Sequence, residues 1–178
     1  QAYKELNGGI NPNSALMKAI LLNSADDLGN PGPDFKHGWG EVNAYQAIKI
    51  LENNQYLNST ISQGGNNTHS ITVPSAVKQL NIMVYWHDTP GSVNAAPALV
   101  NDIDIHSIGV NGLATYPWIL DTTANATFLN LNATYGNDRI NNMEQITIDN
   151  PISGNYLLSV DGFTIPFGAQ EYWVIYQY

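Results

Sequence analysis

Residues 11–51, NPNSALMKAILLNSADDLGNPGPDFKHGWGEVNAYQAIKIL, decide how this chain is read. They hold two helical patterns joined by a loop dense in Gly and Pro. Asn11 can cap the first helix, with Pro12 in a first turn where a missing backbone donor costs nothing. Ala15, Leu16, Met17, Ala19, Ile20, Leu21 and Leu22 follow, and Lys18 is the only charge among them. A surface helix carries one apolar stripe, so a helix apolar nearly all round is expected to be buried on every side. The few dozen residues before the β-rich remainder cannot supply walls for such a helix, so its walls are expected to be missing. The second helix places Ala44, Ala47, Ile48 and Leu51 at i, i+3, i+4 and i+7. Asn43, three residues before Gln46, fits a capping box.

The apolar period changes near Glu52. In Lys78 to His87 (KQLNIMVYWH), Leu80, Ile82, Val84 and Trp86 share one face, while Asn81, Met83, Tyr85 and His87 take the other. Further strands are predicted at Thr60 to Gln63, His69 to Val73, Val100 to Ser107, Met143 to Asp149, Tyr156 to Val160 and Glu171 to Tyr176. The turns between them carry Gly, Asn and Pro: GGNN from Gly64, Asn111-Gly112, and NPISGN from Asn150. Many short strands without intervening helices indicate an antiparallel sandwich or jelly roll. The boundary between the two segments falls in the linker-like ENNQYLN, residues 52–58.

Composition limits the partners. The 178 residues are 43% hydrophobic, enough for one good core and a second partial one. Charged residues are only 12%, and polarity comes instead from Asn, Thr, Ser and Gln. Net charge is −9, which argues against nucleic acid and anionic membrane as partners and favours cation binding. The chain has no cysteine and no apolar run of membrane-spanning length.

Two sets of motifs carry a family resemblance. ILLNSADDLGNPGPDFKHGWGEVNAYQAI, with Phe35, Gly38, Trp39, Gly40, Val42, Asn43 and Ala44, resembles the closing segment of a subtilisin-like serine protease domain. The family's nucleophile motif G-T-S-M-A would lie upstream of Gln1, and Gln1 to Asn7 would be the tail of the nucleophile helix. IMVYWHDTP, ALVNDIDI and RINNMEQITIDNPISGNYLLSV resemble the C-terminal β-barrel of the high-alkaline, oxidation-resistant subtilases. That module is a jelly roll related in shape to the P domain of proprotein convertases.

The resemblance implies a mixed fold. Residues 1–53 would be the closing helices of an incomplete subtilisin-like α/β catalytic domain, and 56–178 an antiparallel jelly-roll barrel docked on it. The chain would be the C-terminal fragment of a secreted bacterial endopeptidase, its partners being its own upstream catalytic domain and the protein or peptide substrate of the parent. The parent would cleave peptide bonds through an acyl-enzyme. A subtilase needs Ser, His and Asp, with the Ser on a sharp turn before a helix. Neither G-T-S-M nor G-x-S-x-G occurs here, so the fragment itself is expected to be non-catalytic. His37, His69, His87 and His106 show no His-x-x-x-His spacing and read as loop or solvated strand residues.

The candidate site is for calcium. Asp102 and Asp104 in VNDIDI lie on one face of a strand, with Ile103 and Ile105 on the other. Asp138, Asn142 and Glu144 add carboxylate and amide oxygens from a loop entering another strand, and calcium takes six to eight such ligands. The competing reading pairs Asp102 with Arg139, the only Arg of the chain, and leaves the Asn residues to turns. Alternation also puts Glu144 on the apolar face of Ile146 and Ile148, where a carboxylate must be paired or bonded. Arg139, a metal ion or backbone amides could each do it. Asp26, Asp27 and Asp34 flank the Gly-Pro loop and read as solvated.

A binding module is the alternative. Tyr116, Trp118, Trp173, Tyr176 and Tyr178 could form a sugar-stacking platform, making this a calcium-containing sandwich that grips polysaccharide or a cell surface. The same rings read more simply as aromatic core, the favoured reading, since rings bury large area. The Asn-x-Thr triplets starting at Asn58, Asn66, Asn125 and Asn132 read as chance matches in an Asn- and Thr-rich chain.

Overall fold

The computed structural model describes residues 1–178. Three helices come first: α1 (Ala2–Leu6), α2 (Ser14–Asn23) and α3 (Ala44–Glu52). Strands follow: β1 (Tyr56–Ile61), β2 (Asn66–Val73), β3 (Gln79–Tyr85), β4 (Asp102–Ile108), β5 (Ala114–Thr115), β6 (Trp118–Ile119), β7 (Thr134–Tyr135), β8 (Met143–Asp149), β9 (Gly154–Thr164) and β10 (Gln170–Gln177). A 3₁₀ turn, Phe128–Asn130, lies between β6 and β7.

The strands form two four-stranded sheets, β1-β10-β3-β8 and β2-β9-β4-β5, and a small β6-β7 ribbon. Every pairing is antiparallel. The architecture is a β-sandwich, as expected. Strand alternation fills its interior: Leu80, Ile82, Val84 and Trp86 from one sheet meet Ile103, Ile105, Leu158 and Val160 from the other. All eight are at most 1% exposed, so the predicted inward face of β3 is the actual one.

The other face of β3 is buried too. Met83 and Tyr85, with Ile175 of β10, lie under Leu16, Ala19 and Ile20 of α2 and Ile50 and Leu51 of α3. This corrects the expectation that α2 lacks walls altogether. The outer face of its own sheet supplies one wall, and burying Leu16 and Ile20 there gains about 1.5–3 kcal/mol each. The far side remains open: Leu21 is 40% exposed, and Met17 and Leu22 are half-buried.

Helix starts differ slightly from expectation. Asn13, rather than Asn11, caps α2, its side chain accepting from Ala15 N at 2.8 Å, so Pro12 precedes the cap. Asn43 caps α3 as expected, accepting from Gln46 N at 3.0 Å. Residues 1–53 form these short helices and loops on the sandwich with no parallel sheet among them, so a subtilisin-like α/β piece is not evident. At the boundary, Gln55 is buried and its carbonyl accepts from Tyr176 N at 3.0 Å. The chain therefore enters β1 tied to the sheet.

Candidate functional site

Two places gather chemistry. The first is where β4, β8 and the turn before β8 meet. The β4 alternation turns Asp102 and Asp104 to one side, and both are buried. Arg139 Nη1 donates to Asp102 Oδ2 at 3.2 Å and to Asp104 Oδ1, while its guanidinium lies 3.6 Å from the centre of the Phe163 ring. Glu144, 1% exposed, accepts from Ile105 N at 2.8 Å and from Asp138 N at 3.1 Å. Backbone amides therefore satisfy the inward carboxylate, and in doing so tie the two sheets together.

The electrostatics follow from crowding. Burial pushes Asp102 up to about 6; Arg139 opposes the shift, and Asp104 and Asp138 add to it. Burial, reinforced by Asp104, holds Glu144 well above the usual carboxylate range despite its two backbone donors. Asp138 accepts from Ile140 N and Asn141 N through Oδ1 and from Asn141 Nδ2 through Oδ2. Asn142 instead donates its amide to Trp86 O at 2.7 Å.

Four of the five residues read as calcium ligands, Asp102, Asp104, Asp138 and Glu144, thus come together, and Asn142 does not join them. As arranged they do not fit an ion. The guanidinium stands between Asp102 and Asp104, and backbone donors already engage both oxygens of Glu144. No group of three or more acidic or histidine side chains is disposed to hold a metal.

The histidines form no proton relay. His37 Nδ1 lies 3.4 Å from Asp34 Oδ2, and His69 Nε2 lies 2.8 Å from the Tyr172 hydroxyl. Burial lowers the His69 pKa. His106 Nδ1 is 3.7 Å from Asp161 Oδ2, but Ser159 Oγ donates to that same carboxylate oxygen at 3.2 Å. A nucleophile relay needs the imidazole between Ser and Asp, and here the Asp bonds the Ser directly. His87 is exposed.

The loop acids are structural, and Asp34 is not solvated. It is 6% exposed and accepts from His37 N at 2.6 Å, Lys36 N at 2.8 Å and Asn30 N at 3.1 Å. The His37 amide chiefly, with the others, holds its pKa far below the usual range against the cost of burial. Asp27 accepts from Gly32 N, and Asp26 from Asn43 Nδ2. An Asp-bonded loop is therefore fixed against the sandwich.

That loop walls the second place, a cleft of about 680 Å³ over the uncovered end of the first sheet. The outer face of this sheet is graded along its strands. Its Tyr85, Met83 and Ile175 end lies under the helices, whereas Gln79 and Asn81 of β3, Thr147 and Asp149 of β8 and Gln177 of β10 floor the cleft. Trp118 and Tyr135 on β6 and β7 close one side, with ring centres 4.3 Å apart. Trp39 and residues of the Asp26 to Gly32 loop also line the cleft, with Gly32 against the Trp118 ring.

The expected aromatic platform is rearranged. Of Tyr116, Trp118, Trp173, Tyr176 and Tyr178, only Trp118 and Tyr178 line the cleft. Trp118 is itself 9% exposed: one side of its indole packs on Tyr135 and another on Gly32, where an added Cβ would come within 2.7 Å of the ring. Its Nε1 donates to Thr147 Oγ1 at 3.0 Å. Trp118 is a wall, and the accessible rings are Tyr135, 56% exposed, and Tyr178, 47%. Sequence reading missed Tyr135 and the polar floor. The available signal was that KQLN and QITID both turn polar on the same face at adjoining strand ends.

No family model matches the chain. It is 25% identical over 183 residues to the "Serine protease/ABC transporter B family protein tagA" of Dictyostelium discoideum. That alignment covers 94% of this chain but only 10% of the relative, so the chain spans about a tenth of the protein it matches. Among solved structures, the CspB protease of Clostridium perfringens gives a TM-score of 0.38 at 12% identity, covering 68% of this chain and 25% of that one. The SPBc2 prophage-derived protein YomS gives 0.32 at 13% identity, covering 68% of this chain and 93% of that one. The chain is thus distantly similar to a serine-protease-named protein.

Proposed function

We propose that this chain is the C-terminal portion of a subtilisin-like serine endopeptidase, non-catalytic by itself, whose sandwich braces the catalytic domain. The observation that carries the reading is the open side of the helical layer. Leu16 and Ile20 of α2 are fully buried on the sheet, while Leu21, Leu28, Val42, Tyr45 and Ile48 of the same layer are each at least 40% exposed. A soluble protein rarely leaves large side chains of one layer uncovered in this way without a partner. The occupant we assign is the upstream part of the same polypeptide, against which the all-round apolar pattern of α2 makes sense.

Two further observations support it. The strand order β1-β10-β3-β8 against β2-β9-β4-β5 is that of a jelly roll, the architecture expected of such a C-terminal module. The similarity to a serine-protease-named relative runs through helices and sandwich together. In this reading the parent is secreted and the triad belongs to the upstream domain. The coding sequence upstream of Gln1 is the test. A Ser motif of the G-T-S-M-A type one helix length before Gln1, with Asp and His motifs further back, is the expected result; a start codon or an unrelated domain there would sink the assignment.

A further inference from the structure

The cleft over the polar end of the first sheet is lined by polar and aromatic side chains together. We propose that it binds an uncharged oligosaccharide. The polar side chains of the floor are held in place by hydrogen bonds. Gln79 Nε2 donates to Asp149 Oδ1 at 2.9 Å, and Asn81 Nδ2 donates to Gln79 Oε1 at 3.2 Å. Gln177 Nε2 is tied to Asn23 O at 2.8 Å. Such interlocked amides present donors and acceptors with little rotamer entropy left to lose on binding.

The floor is not self-sufficient. Asn81 Oδ1 and Gln177 Oε1 are buried and have no hydrogen-bond partner within the chain. Register places these two residues directly opposite each other on β3 and β10. Two neighbouring unpaired acceptors call for hydroxyl donors, whether from water or from a polyol, since buried polar groups are almost always bonded. A sugar carries such donors on adjacent carbons, together with apolar C–H faces.

The walls supply surface for those faces. Tyr135 stands exposed over the Trp118 ring, which backs it rigidly, and Tyr178 lines the same cleft. Burial, and after it the Asp149 charge, raises the Tyr135 pKa. Charge then selects the class. Asp26, Asp27 and Asp149 face a single Lys78, so sulfated, uronic and phosphorylated ligands are repelled. The volume lies in the range of small-ligand sites and admits a few pyranose rings.

The experiment titrates the isotope-labelled chain with neutral hexaoses of glucose and of N-acetylglucosamine, followed by backbone and side-chain amide NMR. Shifts at Gln79, Asn81 and Gln177 with one of these at millimolar concentration are expected. Tyr135→Ala should weaken binding about tenfold, the size of a lost aromatic contact, and lower melting only modestly, because one side of the ring is exposed and the other packs on Trp118. Asp149→Asn should weaken neutral-sugar binding and not convert the site to anions, since Asp26 and Asp27 remain. No shift with any neutral sugar, equal binding by Tyr135→Ala, or shifts produced instead by a proline-rich peptide would each overturn the proposal. It stands apart from the protease reading, because neither outcome alters what lies upstream of Gln1.

Discussion

Replacing Arg139 separates charge from packing in the buried carboxylate cluster. Its guanidinium is the sole cation between Asp102 and Asp104, which are 7% and 8% exposed. Removing one partner of a fully buried ion pair costs at least about 3 kcal/mol. The Arg139 side chain is 37% exposed, so solvent screening lowers the charge part to about 2 kcal/mol at neutral pH. Losing the contact with Phe163 adds about 0.5–1 kcal/mol. Arg139→Ala should therefore lose about 2.5–3 kcal/mol, and Arg139→Met, which keeps a stem for Phe163, somewhat less.

The pH dependence carries the test. Asp102 has a folded pKa of about 6 against an ordinary 3.8. The folded state therefore binds its proton more tightly, and stability from this group falls as pH rises through the window between those values. Two units correspond to about 3 kcal/mol lost across that window. Glu144 is shifted in the same direction. Near pH 4.5, below its folded pKa, Asp102 in the folded state is mostly protonated and no longer needs the guanidinium, so the Arg139→Met penalty should shrink there to about 1 kcal/mol. Urea denaturation at pH 4.5 and 7.5 measures both. The His69 shift acts oppositely on absolute stability but is common to both proteins and cancels in their difference. A penalty equal at the two pH values would refute the electrostatic reasoning. Calcium added to Arg139→Met is the companion measurement: a melting temperature raised in the variant and not in the wild type would mean that Arg139 holds the place of an ion.

Two further outcomes follow from packing and from the loop. Trp118→Ala should destabilise by about 3–5 kcal/mol, read by urea denaturation, because the ring fills the space between Gly32 and Tyr135. A near-neutral effect would mean that Trp118 is a platform rather than a wall. Asp34→Asn removes a carboxylate whose lowered pKa gives stability that is present above the ordinary value of 3.8 and lost as pH falls through the folded pKa. The wild type should therefore be the more stable protein at neutral pH, and the difference should close in strong acid; a difference independent of pH would contradict the amide-bonded carboxylate.

What was legible in the sequence was whatever repeats with a period. Leu80, Ile82, Val84 and Trp86 announce an inward face because a strand must alternate, and the same rule turned Glu144 inward before any partner was visible. The rule does not say who the partner is. Arg139, a metal and backbone amides all satisfied the pattern, and the choice was made by the Ile105 and Asp138 amides, set by strand pairing distant in sequence. Strands of two residues such as β5 and β6 have no period to read. Trp118 illustrates a different gap: its role depends on Gly32, 86 positions earlier, which no local pattern relates to it.

The two faces of β3 show how a pattern can be right and its consequence misjudged. Met83 and Tyr85 break the polar outer face that Asn81 begins, and this was the trace of a second layer. Alone it reads as noise. Beside a helix apolar on all sides it becomes a match: the helix needs a wall, and the strand has an outer face that needs a cover. The sheet covers one side of α2 only, and Leu21 and Ile48 stay exposed. The excess of apolar surface left after that match is the quantity that argues for an upstream domain. It can be measured directly: Leu21→Lys with Ile48→Glu should suppress self-association of the chain in light scattering without lowering its melting temperature. A wild-type chain that is monomeric at all concentrations would show that this layer needs no further partner.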